Sequence, residues 1–247
     1  MKNFKITGIY DNIAVESLIP GWGLSIVIEN SSSRILFDTG ADLKILSNNL
    51  NRLGIEPESF NAIVLSHPHC DHTGGLSAVL RKNSDLKVYI TEAFPESLKA
   101  SVEDYGAKLD STLDPVELSE GVITTGEMIT DCHGADLPEQ GLILRTKKGP
   151  LLICGCAHPG VVKMVKRTKR ITGDFPYLVI GGFHLSGKTK GEIEAVVNDL
   201  IDNNVDKIAP THCTGEKAIK LFKKSFGDNF LELEAGHQID LPEHLNE

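Results

Sequence analysis

The chain has no apolar run near the roughly 20 residues that a membrane span needs. Lysines stand in its opening MKNFKITGIYDN, but no apolar stretch follows them. Neither a secretory leader nor a membrane partner is therefore expected, and a cytoplasmic location is. Positive charge is short as well: 25 Lys and Arg face 34 Asp and Glu, for a formal net charge of -9. Sequence-independent binding to nucleic acid needs a basic surface, so no nucleic-acid partner is expected. The five cysteines, Cys70, Cys132, Cys154, Cys156 and Cys213, are odd in number and not spaced as a disulfide scaffold. Free thiols in a reducing compartment are the expectation. Cys154 and Cys156 are too near each other for a relaxed disulfide, and no second pair completes a zinc finger. Linker-like and low-complexity stretches are also missing. The 247 residues, 40% hydrophobic and 24% charged, thus read as one globular domain of two similar halves, 1–115 and 116–247.

What is present is a series of short Val- and Ile-rich runs separated by turn residues. LSIVIEN (24–30) and RILFDTG (34–40) bracket a serine-rich turn and predict a hairpin. Residues 42–55 carry apolar positions at helical spacing, closed by Gly54. NAIVLS (61–66) is a buried strand, 73–83 a helix, and LKVYIT (86–91) a strand. The second half repeats the style. GLILRT (141–146) and LLICG (151–155) form a hairpin, and 158–172 is a basic amphipathic helix. YLVIGG (177–182) is a strand, 190–204 a helix, DKIAPTH (206–212) a strand and 215–227 a helix. Two mixed sheets covered by helices satisfy the burial demands of this pattern.

Nine histidines are present, and three fall within six positions of VLSHPHCDHTGG (64–75): His67, His69 and His72, with Asp71 among them. Imidazole and carboxylate are natural ligands of zinc, iron and manganese. On an extended turn His67 and His69 face one ion, while Asp71 and His72 turn the other way. Pro68 stiffens the loop, and Gly74 and Gly75 let the chain enter the next helix at close quarters. Three further stretches start where a strand ends: Gly155-Cys156, Gly182-Phe183-His184 and Thr211-His212. Strand ends on one sheet edge converge in space, and loops there carry function on a rigid scaffold.

H-x-H-x-D-H after a strand resembles the signature of the metallo-β-lactamase superfamily, which includes glyoxalase II, RNase Z and the flavodiiron proteins. The resemblance implies an α/β fold, a four-layer αββα sandwich of two mixed sheets. RILFDTG resembles the family's early strand ending in Asp-x-Gly, which makes Asp38 the buried aspartate that orients the histidine loop. GCAHPGV (155–161), VIGGFHLSG (179–187) and APTHCTG (209–215) resemble one branch. That branch includes methanopterin-pathway synthases, which join a dihydropterin to a ribofuranosylaminobenzene phosphate. Other members of it are known only as metal-dependent hydrolases.

The sequence departs from the family pattern at two places. DLPEQG (136–141) lacks the histidine expected before the hairpin, and Gly155-Cys156 stands where Gly-Asp is expected after it. His212 fits the final histidine. With His158 in the missing place, the resemblance implies His67, His69 and His158 for one ion and Asp71, His72 and His212 for the other. Cys156 is either a thiolate ligand or bridge, or a small buried thiol. One or two divalent ions are expected, zinc first, with iron or manganese as alternatives.

Asp71 and His184 are the candidate catalytic residues. Asp71 orients a nucleophile or accepts its proton. His184 either binds metal or protonates a leaving group. His133 is the reserve candidate for the missing ligand, and His237 and His244 read as exposed. Cys70 and Cys213 read as pointing away from the metal, because neighbours on an extended loop alternate. Cys132 and Cys154 read as core or loop thiols. Asp11, Asn12 and the Gly21–Gly23 turn read either as pocket lining or as a turn with a core tryptophan.

The leading expectation is a hydrolase in which metal-bound hydroxide attacks an ester, thioester, lactam or phosphodiester. A dihydropterin-type synthase, in which the metal activates a diphosphate leaving group, is the second. A non-catalytic metal- or ligand-binding protein is the third. A small-molecule substrate, anionic or phosphorylated, is the expected partner, since a metal can reverse the local field of an acidic protein. The run KMVKRTKR (163–170) is a solvated helix face or a landing patch for its phosphate.

Overall fold

The computed structural model describes residues 3–111, 113–132 and 134–241. They divide into two compact units, residues 3–113 with 234–241, and residues 114–233.

In the first unit the strands are β1 (Phe4–Tyr10), β2 (Ser25–Glu29), β3 (Arg34–Phe37), β4 (Ala62–Val64), β5 (Lys87–Ile90) and β6 (Lys108–Ser111). The antiparallel turns β1-β2-β3 are followed by parallel pairing from β3 through β6. Helices α1 (Leu43–Arg52), α2 (Cys70–Thr73), α3 (Leu76–Leu80) and α4 (Glu96–Asp104) connect them. Leu46 and Leu50 of α1, Leu76 and Val79 of α3, and Val102 of α4 pack with Ile9, Val27, Leu36, Ile63 and Val88 of the sheet. Asp42 caps α1 by accepting from the amides of Lys44 and Ile45. Gly54 at φ +67° ends it, with Ile55 N–H donating to the Leu50 carbonyl (2.9 Å).

The second unit holds β7 (Glu117–Ser119), β8 (Val122–Thr124), a two-stranded ribbon of β9 (Met128–Cys132) and β10 (Ala135–Glu139), then β11 (Leu142–Thr146), β12 (Gly149–Cys154), β13 (Leu178–Gly182) and β14 (Lys207–Thr211). Its main sheet runs β14-β13-β12-β11-β8-β7. β12, β13 and β14 are parallel, and β11 and β12 form the antiparallel hairpin. Helices α5 (Val161–Thr172), α6 (Lys190–Asp202) and α7 (Glu216–Phe226) supply Val161, Met164, Ile193, Leu200 and Phe222 to a core with Ile143, Leu152, Val179 and Ile208. A capping box between Thr189 and Glu192 starts α6. β13 is buried at every position, which is why LVIGG reads as a continuous apolar run rather than an alternating one.

The last strand, β15 (Gln238–Leu241), pairs antiparallel with β1 and returns the chain to the first unit's seven-stranded sheet. The expected helix 73–83 is two short pieces. A Cβ on Gly74 would overlap the Ala41 carbonyl, and the chain breaks there before α3 begins. Trp22 is 58% exposed rather than a core residue, and His237 is half-buried rather than exposed. His133, His244 and the side chain of Cys132 lie outside the described residues. Among the described residues no helix is long and apolar enough to cross a membrane.

Leu152 is fully buried in the second core. Leu152→Ala is expected to cost about 2–5 kcal/mol of unfolding free energy by urea denaturation. Ile201→Ala, at an exposed position, should stay within about 0.5 kcal/mol of wild type.

Candidate metal centre

Parallel strands place their carboxyl ends on one edge, where ligands of α/β sheets bind. In the first unit β3 ends into Asp38, and β4 ends into Ser66 and His67. Asp38 is fully buried. Its Oδ1 accepts from the Ser66 amide (2.7 Å), and its Oδ2 meets the Ser66 hydroxyl (2.7 Å) and His72 Nδ1 (2.6 Å). Burial pushes the Asp38 carboxyl up, and His72 and Ser66 offset this only in part. The Ser66 hydroxyl also meets His67 Nδ1 (2.8 Å).

The three imidazoles of the loop are gathered. The His67 and His69 ring centres lie 4.8 Å apart and those of His67 and His72 lie 4.1 Å apart. Asp71 Oδ2 lies 3.9 Å from His72 Nε2. The loop is anchored from both sides, since the Thr39 amide donates to the His72 carbonyl (2.7 Å) and the Leu24 amide to that of Asp71 (3.2 Å). The Gly21–Gly23 turn therefore abuts the histidine loop, with Gly23 N–H meeting Asn12 Oδ1 (3.4 Å). Cys70 is exposed.

In the second unit β12, β13 and β14 end into Cys156 and His158, into His184, and into His212 and Cys213. Ligand atoms of Cys156, His158 and His184 lie within 4.8 Å of one another, and so do those of Cys156, His212 and Cys213. The His158 and His184 ring centres are 4.5 Å apart. Behind this cluster sits Glu139 at the end of β10, fully buried, which no sequence motif singles out. It lies in the stretch where a histidine is missing. Its Oε1 accepts from the amides of Cys156 (3.0 Å) and Ala157 (2.7 Å), and its Oε2 from the amide of His158 (2.7 Å), with His158 Nδ1 at 2.8 Å. Burial pushes this carboxyl up, but the bonds from His158 and the loop amides outweigh it and hold Glu139 below its usual range.

Cys213 corrects the expectation that it points away from its neighbour's ligand side, for its Sγ gathers with Cys156 Sγ and a ring nitrogen of His212. Burial disfavours its thiolate, yet hydrogen bonds with Cys156 and His184 and the charge of His212 hold the thiol well below its ordinary range. The same bond with Cys213 raises His184 against the effect of burial. Cys154 is a core thiol pushed well up by burial. On α5, Arg167 Nε donates to the Thr125 carbonyl (3.0 Å) and Lys169 Nζ lies 4.0 Å over the Phe175 ring. Lys163, Lys166 and Arg170 are exposed.

Five non-glycine residues have positive φ among those described: Asp38 (56°), Ala157 (57°), His184 (50°), His212 (52°) and Asn204 (58°). Asn204 follows the end of α6, an ordinary place for it. The other four all stand at the strand ends just described, where strained backbone collects at functional sites.

This is the construction of the metallo-β-lactamase kind: strand-end histidines, with one loop in each unit backed by a buried carboxylate. Residues 19–212 match the metallo-beta-lactamase superfamily, and the chain belongs to it. It is 32% identical to the 7,8-dihydropterin-6-methyl-4-(beta-D-ribofuranosyl)-aminobenzene-5'-phosphate synthase of Methanocaldococcus jannaschii, over 93% of this chain and 97% of that protein. Among solved structures it is similar to Tm1679, a metal-dependent hydrolase of the beta-lactamase superfamily, with TM-score 0.79, 25% identity, and coverage of 96% of this chain and 99% of that one. YhfI of Bacillus subtilis shares the fold at TM-score 0.69 and 13% identity, over 97% of this chain and 100% of that one.

A carboxylate on Nδ1 holds the proton there and puts the lone pair on Nε2, the orientation that metal-ligating histidines need. The donor types of each unit, imidazole with carboxylate in the first and imidazole with thiol in the second, suit a divalent ion. Glu139→Gln replaces an acceptor oxygen with an amide that donates toward donors. Glu139→Gln and Asp38→Asn should each weaken metal affinity about 10–100-fold in competition with a chromophoric chelator. Unchanged affinity in either variant would remove that residue's positioning role.

Proposed function

We propose that this protein is a metal-dependent hydrolase of a small anionic substrate. The observation that carries the reading is the carboxylate-backed histidine in each unit, His72 on Asp38 and His158 on Glu139. The residues that would hold the one or two ions of this reading are His67, His69, Asp71 and His72 of the first unit, and His158, His212 and Cys156 of the second. Zinc suits this set of imidazole, carboxylate and thiol best, with iron next. When bound, the ion supplies Lewis acidity that ionises water near neutral pH and polarises the electrophile.

The chain's own residues do the rest. Asp71, half-buried beside His72, orients the nucleophile and accepts its proton. His184 is exposed, and its bond with Cys213 favours the protonated ring. It therefore hands a proton to the leaving group. Trp22, exposed on the turn that abuts the histidine loop, offers an aromatic wall to the substrate.

The identity to the synthase along nearly the whole chain favours a second reading. In it the same His184 proton stabilises a departing diphosphate, an arylamine phosphate attacks a dihydropterin, and no water is consumed.

Oxygen-18 water separates the two. Hydrolysis of an ester, lactone or phosphodiester panel by zinc-loaded protein should place the label in the product. Release of diphosphate from a dihydropterin diphosphate and an arylamine phosphate, with no turnover on the panel, would overturn the hydrolase reading in favour of the synthase. His184→Ala should lower kcat by about 10²–10⁴-fold. The loss should be larger for substrates with poor leaving groups, while metal content by elemental analysis stays at the wild-type value. Equal losses for good and poor leaving groups would remove the acid role.

A further inference from the structure

Alternation along an extended loop assigns the Cys213 side chain to the side opposite His212. The loop is not extended. β14 ends at Thr211, His212 takes φ +52°, and His212–Thr214 form a single 3-10 turn. In that turn both neighbours reach the same space. One ligand atom each of Cys156, His212 and Cys213 then lie within 4.8 Å of one another, and all three residues are at most 5% exposed. The middle strand leaves room for the sulfur, because a Cβ on Gly182 would stand 2.6 Å from Cys213 Sγ.

We propose that Cys213 is a metal ligand, and that Cys156, Cys213 and His212 form a thiolate–imidazole face selecting zinc or ferrous iron over magnesium. The inference rests on the metal-binding reading above and adds to it a ligand that the family pattern does not supply. Two sulfurs held about 2.3 Å from a tetrahedral ion stand about 3.8 Å apart, and an imidazole nitrogen takes a third corner at a similar spacing. A 4.8 Å limit on all three separations accommodates that triangle. Thiolates favour zinc and iron, whereas magnesium takes oxygen ligands and sheds its waters reluctantly. Each thiol gives up its proton as the ion binds, so loading releases protons to the buffer.

The test uses the full chain, reduced and stripped of metal, titrated with cobalt(II). Wild type should show an intense near-ultraviolet sulfur-to-cobalt band. That band should fall by about half in Cys213→Ser and in Cys156→Ser and vanish in the double variant, one thiolate being lost at each step. A Cys213→Ser spectrum equal to wild type overturns the proposal. Cobalt bound without any near-ultraviolet band overturns it alone and leaves the metal-binding reading standing. No cobalt bound by wild type overturns both. Circular dichroism checks that each variant folds. Zinc-edge X-ray absorption on wild type needs no variant: with zinc–sulfur distances near 2.3 Å counted per protein rather than per ion, at least two are expected, and one or none overturns the proposal.

Discussion

Asp38 and Glu139 are both shielded from water, and each places both carboxylate oxygens on the backbone and histidine of a strand-end loop. A carboxylate taken out of water is costly unless every oxygen is met, and removing one partner of such a buried pair costs about 3–5 kcal/mol. The two loops are therefore fixed by a demand of the core as well as by their own turn chemistry. The carboxylates differ in how well the demand is met. Asp38 receives one amide, one hydroxyl and one imidazole, and burial still lifts its carboxyl. Glu139 receives three amides and an imidazole, and its carboxyl ends below the usual range. The second loop is held by the better-satisfied anion.

The parts of the fold legible in the sequence are those with a buried face. α1, α5, α6 and α7 bury a stripe of their residues, and β2, β3, β12, β13 and β14 are buried nearly throughout. Each announces itself by apolar spacing and a capping or turn residue. The stretch from α4 to β7 does not. α4 buries only Val102, and β6 and β7 have no fully buried position. With no apolar period to read, these elements hold their places through pairing with neighbours that chain order does not reveal. β15 is the extreme case, since a strand at the far end of the chain completes the sheet begun by β1.

The candidate site divides in the same way. Histidines and cysteines at strand ends are visible because their types are few and their spacing is unusual. Glu139 is invisible, for a glutamate among 34 acidic residues carries no signal until three amides point at it. Cys213 was assigned to the wrong side because alternation holds only while the chain stays extended, and His212 is where it stops. Trp22 shows the reverse error. A single tryptophan between glycines reads as core, yet the turn that carries it is fixed by backbone bonds to the histidine loop and leaves the ring outside.

Positive φ at Asp38, Ala157, His184 and His212 ties these observations together. None of the four is glycine, and such positions cost of order 1–3 kcal/mol each. Glycine would relieve that cost at any of them but would delete the carboxylate or the imidazole at three. At Ala157 no functional group is at stake, so the cause is geometric: its amide must meet Glu139 while the next residue aims an imidazole. Strain at these places is what turns a strand end abruptly enough to point two near neighbours in sequence, Cys156 and His158 or His212 and Cys213, into one small volume. The strand cores hold each turn, and the buried carboxylates hold two of the loops that follow. A chain relaxed at these four residues would keep its sheets and lose the gathering of donors.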